Sequence, residues 1–179
     1  LYSNTTGTDN FAVGRQALCG SLSGNHNFAA GQCALYGNWG GCYNTAIGYR
    51  ALIRNTTGYN NTAIDQDALL SNTTGYNNQG IGKQALTTNS TGHDNQAIGC
   101  GALRGNTTGN NNIAIGCNAL YSNTTGYRNF AGMRESLYTN VSGNDNIAIG
   151  CRALKSNTAG SCNAAIGKGA LGSNTTGYD

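Results

Sequence analysis

The sequence predicts an all-β protein that folds as a parallel β-solenoid, or β-roll, with 17-residue coils and about 10 rungs. Three observations predict this fold. A short motif recurs at a constant interval without insertions, and Gly and Asn recur too often for a long helix. The 179 residues also contain 28 Gly and no Pro, which suits short strands joined by tight turns. We therefore expect one solenoid domain over 1–179, as a fragment of a longer repeat array.

The repeat is defined by the Gly that closes each N-T-T-G-like motif. This Gly recurs every 17 residues from Gly7 to Gly177, and it is numbered here as position 1 of each rung, with rung 1 starting at Gly7. The consensus rung reads G-Y-N-N-x-A-I-G-x-x-A-L-x-S-N-T-T. Position 4 is always Asn, and position 12 is always Leu, from Leu1 to Leu171. Because an extra residue would shift every later strand out of register, the constant spacing favours stacked coils.

Each rung is predicted to contain two short strands joined by tight turns. The first strand is expected at positions 4 to 8, as in 44–48, and the second at positions 11 to 13, as in 51–53. Gly at position 1, and usually at position 8, supplies the turn backbone. Each strand would pair with its copy about 4.8 Å along the axis. The Asn columns at positions 4 and 15 then predict hydrogen-bonded amide ladders.

Side-chain volumes at positions 5 and 7 predict which residues face inward. Where position 7 is small, position 5 is large, as in Phe28 with Ala30 and Phe130 with Gly132. Such an exchange is typical of two residues that share one packed compartment, so positions 5, 7 and 12 are predicted as the interior. The predicted core ladder consists of Ile47, Ile64, Ile81, Ile98, Ile115, Ile149, Ile166, Leu52, Leu69, Leu86, Leu103, Leu120 and Leu154.

Position 6 is then predicted to face outward, and it is Ala in nine rungs and Gly80 in the tenth. Uniformly small outer side chains favour close packing against another copy of the chain. The alternative is a narrow interior in which nothing larger fits. The predicted interface consists of Ala46, Ala63, Ala97, Ala114 and Ala148.

Cysteine and asparagine suggest two covalent features. Cys100 and Cys117 occupy position 9 of adjacent rungs, and a separation of about 4.8 Å lies within disulfide range, so they form either a bridge or two free thiols. Many position-15 Asn stand in N-x-S/T sequons, which are either glycosylation sites or simply turn-forming sequences. The candidate glycosylation sites are Asn55, Asn72, Asn89, Asn106, Asn123 and Asn140.

Tyrosines at positions 2 and 13 flank the same turn. They form either an aromatic edge that contacts sugars or another fibre, or ordinary turn packing. The candidate contact residues are Tyr59, Tyr76, Tyr121, Tyr127 and Tyr138.

Composition argues against several classes of function. The net charge is only +3, without the basic stripe of a nucleic-acid-binding protein, and no apolar run reaches the roughly 20 residues that cross a bilayer. His26 and His93 lie four rungs apart, and no Ser or Cys has a His and an acid at matching rungs. We therefore expect no enzymatic activity, no metal or other cofactor, no nucleic-acid partner and no membrane insertion.

The A-I-G triplets, as in Ala46–Gly48 and Ala97–Gly99, resemble the head repeats of trimeric autotransporter adhesins. Similar N-T-A-I-G repeats also occur in phage and viral tail-fibre-like proteins. The resemblance implies left-handed parallel β-rolls, association of three chains side by side, and binding to host or matrix surfaces. A 17-residue rung is longer than is usual in such heads, and the family has no catalytic residues to map.

The favoured function is an extracellular structural or adhesive fibre segment, on a cell surface, in a secreted fibre or in a virion fibre. Its partners would be itself, as a homotrimer or filament, and host or matrix surfaces or glycans. One alternative is a self-assembling extracellular filament subunit. Another is an ice-binding solenoid, because Thr columns run along positions 16 and 17.

Overall fold

The structure, a computed structural model that describes residues 4–178, is a β-solenoid with one parallel sheet. Ten three-residue strands follow one another in sequence order along the sheet. They are β1 (Phe11–Val13), β2 (Phe28–Ala30), β3 (Thr45–Ile47), β4 (Thr62–Ile64), β5 (Gln79–Ile81), β6 (Gln96–Ile98), β7 (Ile113–Ile115), β8 (Phe130–Gly132), β9 (Ile147–Ile149) and β10 (Ala164–Ile166).

The register of the sheet is constant from end to end. Each strand residue pairs with the residue 17 positions further on, as Ala46 does with Ala63 in the pairing of β3 with β4. The strands therefore occupy positions 5 to 7 of every rung. The predicted all-β solenoid with 17-residue coils is confirmed.

The predicted second strand is wrong. Positions 9 to 14 form consecutive turns in which Leu at position 12 adopts a left-handed φ of 48° to 52°. An L-residue with a side chain of this size is disfavoured in that region, by roughly 1–2 kcal/mol. The inter-rung hydrogen bond still forms, since Leu52 N donates to Ala68 O at 3.1 Å, and Asn55 N then donates back to Leu52 O at 3.2 Å. The segment thus bonds from rung to rung without being a strand.

The interior is a thin layer of Ala and Leu side chains between the sheet and these turns. Between the terminal rungs, Ala at positions 6 and 11 and Leu at position 12 are fully buried, as Ala46, Ala51 and Leu52 show at 0% exposure, whereas Leu171 in the last rung is 47% exposed. Space is short: a Cβ added at Gly80 would lie 3.3 Å from Leu69 Cγ. The interior therefore has room for one methyl group at position 6, which was the alternative interpretation of the Ala columns.

The predicted orientation of the strand is consequently reversed. The Leu part of the predicted core ladder is confirmed, since Leu52, Leu69, Leu86, Leu103, Leu120 and Leu154 are all 0% exposed. Leu1, at the start of that column, lies outside the described residues. The Ile part is wrong, because position 7 faces outward: Ile47, Ile115, Ile149 and Ile166 are exposed and Ile64, Ile81 and Ile98 are half-buried. The predicted Ala interface is wrong for the same reason, because Ala46, Ala63, Ala97, Ala114 and Ala148 fill the interior.

Two buried amide ladders hold the corner that precedes the strand. In the position-4 ladder, Asn44 Nδ2 donates to Asn27 Oδ1 at 3.2 Å and to Gly58 O at 2.8 Å, and Asn44 N also donates to Asn27 Oδ1. In the position-15 ladder, Asn72 Nδ2 donates to Asn55 Oδ1 at 2.9 Å. The predicted amide ladders are confirmed.

Position 1 must be Gly because both ladders converge on it. Gly58 O accepts from Asn55 Nδ2 as well as from Asn44 Nδ2, at 2.9 and 2.8 Å. A Cβ on Gly58 would lie 2.4 Å from both Asn55 Oδ1 and Gly75 O, which no side chain tolerates. The N-T-T-G motif is therefore the sequence signature of a packed, hydrogen-bonded corner.

The position-15 ladder is interrupted at Ser21, the one non-Asn residue in that column of the described chain. The hydroxyl is too short to reach the neighbouring rungs, so Asn4 Oδ1 and Ser21 Oγ are buried without hydrogen-bond partners. An unsatisfied buried polar atom costs on the order of 1–3 kcal/mol.

We predict that Ser21→Asn stabilises the protein by about 1–3 kcal/mol. The introduced amide would donate to Asn4 Oδ1 and Gly24 O and would accept from Asn38 Nδ2. The free energy of unfolding in a urea titration measures the gain. Asn123→Ser, which creates the same gap in mid-ladder, should lower that free energy, and a neutral or destabilising Ser21→Asn would contradict the prediction.

Two rungs carry a side chain at position 8, where the other described rungs have Gly. Those Gly have φ of 118° to 139°, and a Cβ there would meet the next rung: at Gly99 it would lie 2.8 Å from the carbonyl carbon of Gly116. Asp65 and Met133 instead sit at φ of 95° and 92°, which is strained for any residue with a Cβ. The irregularity of these two rungs is thus localised at position 8.

We predict that Met133→Gly raises the free energy of unfolding by about 1 kcal/mol, because released backbone strain exceeds the added entropy of the unfolded chain. Met133 is 59% exposed, so little packing is lost. Thermal or urea denaturation measures the change. Met133→Ala retains the Cβ and should give no gain; an equal gain from both variants would show that the side chain, not φ, is responsible.

Candidate functional site: an outward apolar sheet face

An apolar surface runs along the outer sheet face, defined here as the side chains at positions 5 and 7 of all ten rungs. Position 7 is a column of Ile, Val and smaller residues, and position 5 is apolar in rungs 1, 2 and 7 to 10. Thr and Gln occupy position 5 in rungs 3 to 6. Exposed side chains include Phe11 and Val13 at one end and Ile147 and Ile149 near the other. An exposed apolar stripe along a whole rod is typical of an interaction surface.

No charged residue lies on this face. The chain contains 10 basic and 7 acidic residues, yet neither position 5 nor position 7 carries one in any rung. Exposed sheet surfaces usually include Lys or other charges that oppose association. Their absence from all twenty of these outward positions means that burial of the position-5 and position-7 side chains leaves none of them as an unpaired charge.

The exchange of volume between positions 5 and 7 keeps the face filled. A Cβ added at Gly132 would lie 3.2 Å from Phe130 Cε1, so the Phe130 ring lies over the space that an Ile side chain at position 7 would take. Phe11 and Phe28 stack on each other in the same column, with ring centroids 4.9 Å apart. The large side chain at position 5 thus compensates for the small one at position 7 on this outer face. Such compensation between neighbours is usually seen in a protein core.

The predicted disulfide is not present. Cys100 and Cys117 are free, exposed thiols on adjacent turns. The remaining cysteines, Cys19, Cys33, Cys42, Cys151 and Cys162, are free as well.

The predicted glycosylation sites are inaccessible. The position-15 residues Asn55, Asn72, Asn89, Asn106, Asn123 and Asn140 are all 0% exposed. Each uses its amide nitrogen, the atom to which a glycan would be attached, for two hydrogen bonds within the ladder; Asn89 Nδ2 donates to Asn72 Oδ1 and to Gly92 O. The sequons are therefore turn-forming sequences whose Asn belongs to the amide ladder. The alternative to glycosylation, a role in the turn, is the correct one.

We predict that the folded protein carries no glycan at these six asparagines when it is secreted by a glycosylating host. Asn60, in an exposed sequon at position 3, is the internal comparison that can be modified. Peptide mapping by mass spectrometry of the soluble, folded fraction tests this, and a glycan found on Asn89 or Asn123 there would contradict the ladder.

The tyrosines form stacks rather than isolated contacts. Tyr59, Tyr76 and His93 occupy position 2 of successive rungs, with centroids 4.9 and 4.6 Å apart and rings within 4° of parallel. Tyr121 stacks on Tyr138 at 5.1 Å in position 13. Tyr127 carries the Arg128 guanidinium over its ring at 4.8 Å. Whether these rings contact sugars or another fibre stays a prediction.

The Thr column at position 16 points its hydroxyl hydrogens back to the protein. At position 16, seven hydroxyls donate to the carbonyl oxygen of the next rung at 2.7 to 3.1 Å; the donors are Thr5, Thr56, Thr73, Ser90, Thr107, Thr124 and Thr158. Leu22, Trp39 and Val141 interrupt the same column. These hydroxyls stabilise the stacking of rungs and do not form an unbroken array facing water.

Ion pairs connect adjacent rungs at positions 3 and 10. Their N–O distances are 2.7 to 2.9 Å, and the pairs are Arg50 with Asp67, Arg128 with Asp145, and Arg152 with Glu135. The hydrogen bond to Asp67 raises the pKa of Arg50. The arginine side chains of these pairs are 40% to 59% exposed, which limits the energy of each pair, so the pairs act as supports for the register set by the ladders.

Two carboxylates are held ionised by such contacts. Hydrogen bonds from Lys155 and Arg152 lower the pKa of Glu135. A hydrogen bond from His93, at 2.8 Å, lowers the pKa of Asp94. These carboxylates are partnered structural groups, without the raised pKa of a general acid.

Residues 4–178 contain no cluster of three or more His, Cys, Asp or Glu side chains that could hold a metal ion. The described part of the chain also has no helix with the length and hydropathy that a bilayer crossing requires.

The chain matches no protein-family model, no curated protein and no solved structure. The resemblance to the head repeats of trimeric autotransporter adhesins therefore stays a prediction from the A-I-G triplets. The outer sheet face, which sequence reasoning placed in the core, is the feature that the function has to explain.

Proposed function

We propose that this protein is a non-enzymatic structural segment of an extracellular fibre: a rigid repeat rod that associates side by side with copies of itself. The observation that carries the proposal is the uncharged, apolar outer sheet face, which spans β1 to β10. The partner is a second copy of the chain, seated on this face.

A second copy suits the face because both surfaces repeat at the same spacing. Each rung advances by one strand separation, about 4.8 Å, so rungs of two aligned copies stay in step along the whole rod. A globular partner has no such periodicity. Burial of the half-exposed Ile side chains contributes on the order of 1 kcal/mol per rung, and the contributions add along the rod.

The rod geometry also favours a spacer and display function. A continuous ten-stranded ladder with buried amide columns resists bending, and its turn side remains free for contacts with host or matrix surfaces. At position 16 the hydroxyl groups already donate hydrogen bonds to carbonyl oxygens of the next rung, and apolar residues interrupt the column. Both observations count against the ice-binding alternative. The A-I-G resemblance favours a trimer over an open filament as the lateral assembly.

We predict that Ile98→Lys combined with Ile115→Lys abolishes self-association. The two changes place like charges on adjacent rungs of the outer sheet face, where burial would leave them unpaired. Light scattering across about a hundredfold range of concentration should show oligomers for the wild type and the 18.4 kDa monomer for the variant.

The matched control is Thr74→Lys combined with Thr91→Lys, which adds the same charge at exposed position 17 on adjacent rungs. It should assemble like the wild type. Electron microscopy of the wild type then separates discrete bundles from indefinite filaments. A wild type that stays monomeric at every concentration, or an Ile variant that assembles like the control, would overturn the proposal.

A further inference from the structure

A hollow of about 420 Å³ opens to solvent on the corner of the rod between rungs 3 and 4. This hollow is here called the notch. It is lined by Gly40, Cys42, Tyr43, Thr57, Tyr59 and Asn60. The notch residues occupy positions 2, 3 and 17 and include none of the position-5 and position-7 side chains that form the outer sheet face.

The notch exists because one ring is missing from an aromatic stack. Tyr76 stacks on one face of Tyr59, and the other face of Tyr59 is directed to rung 3, where position 2 is Cys42 instead of the consensus Tyr. Gly40 replaces the consensus Thr beside it at position 17. The rungs repeat at the spacing of stacked rings, so the notch is a vacant slot of one-ring thickness on Tyr59.

Tyr43 supplies a second aromatic wall. It occupies position 3 of rung 3 and stacks on His26 on the side of the preceding rung, with centroids 4.8 Å apart. Its side chain is 59% exposed and lines the hollow together with Tyr59. A bound ring would therefore contact aromatic carbon on two sides.

The rim is polar and neutral. Thr57 contributes a hydroxyl, and Asn60 contributes an amide of which Nδ2 donates to Asn77 Oδ1 at 3.3 Å, leaving its other hydrogen-bonding positions available. The Tyr43 and Tyr59 hydroxyl groups add two further donor and acceptor sites. None of the six lining residues is Asp, Glu, Lys, Arg or His.

We propose that the notch binds one neutral pyranose unit of a glycan, stacked on Tyr59. The C–H face of a pyranose with equatorial hydroxyls is weakly positive and fits the negative face of an aromatic ring. Its equatorial hydroxyls lie at the ring edge, where the Thr57 and Asn60 groups can hydrogen-bond to them. A purely aromatic ligand would leave these rim groups unpaired, and an ionised ligand would find no countercharge.

The probe is methyl β-glucopyranoside, followed by cellobiose, titrated into the full chain by isothermal calorimetry and by NMR. A single ring in an open slot should bind with Kd of about 1 mM. We expect chemical-shift changes at Cys42, Thr57 and Asn60. Trp39, the single Trp of the chain and next to Gly40, is available as a fluorescence reporter.

Two variants test the slot from opposite directions. Tyr59→Ala removes the stacking surface, and we expect at least a tenfold loss of affinity, about 1.4 kcal/mol. Cys42→Tyr fills the slot by extending the stack of Tyr59, Tyr76 and His93, so it should abolish binding while leaving thermal stability unchanged or higher. This second variant separates loss of the site from loss of the fold.

Tyr127→Ala is the matched control, since Tyr127 has the same position and a similar exposure but lines no part of the notch. It should bind the glucoside like the wild type. Binding that survives in both Tyr59→Ala and Cys42→Tyr overturns the proposal, as does absence of binding in the wild type. Binding of phenol without binding of either sugar overturns the assignment of the ligand as a pyranose.

Discussion

The rest of the structure depends on the vertical hydrogen bonding of buried asparagine amides. In the position-4 column, Asn44 Oδ1 accepts from both N and Nδ2 of Asn61, and Asn44 Nδ2 donates twice. Such a network is stable only when every member is satisfied, because an unpaired amide in a low-dielectric interior is costly. The amide hydrogen bonds are all formed only if Asn occupies the same position of every rung. This requirement explains why the 17-residue spacing is kept without an insertion.

The constant register has a second consequence, for the size of the interior. With Asn at one corner and Leu at left-handed φ along the opposite side, the cross-section admits only methyl groups from the strand. The large aliphatic residues of the strand must therefore point outward. A solenoid this thin cannot bury its own Ile column, and the proposed association with another copy would remove that column from water.

Departures from the consensus sequence change the hydrogen bonding, backbone strain or side-chain packing of individual rungs. Ser21 breaks an amide ladder, Met133 strains a turn that Gly would relax, and Cys42 leaves a ring-sized slot in an aromatic stack. The three share one cause. Equivalent residues of adjacent rungs contact each other, so a residue of a different size disturbs the contacts in its own rung. In a protein built from similar rungs, such defects set the local stability, and the slot at Cys42 is where we propose recognition.

The sequence by itself determined the repeat length, the parallel solenoid, the Leu column and the two amide ladders, because each follows from periodicity and from hydrogen-bonding groups that need copies of themselves. It also showed that positions 5 and 7 share a face, as the exchange of Phe130 with Gly132 indicates. Only the tertiary structure decided which face is inside. Alternation along a strand relates neighbouring side chains to each other, whereas the direction of the core depends on what packs across the coil, here Leu52 and its copies. The same packing buried the amides of the sequons and left Tyr59 with an open ring face, neither of which has a local sequence signal.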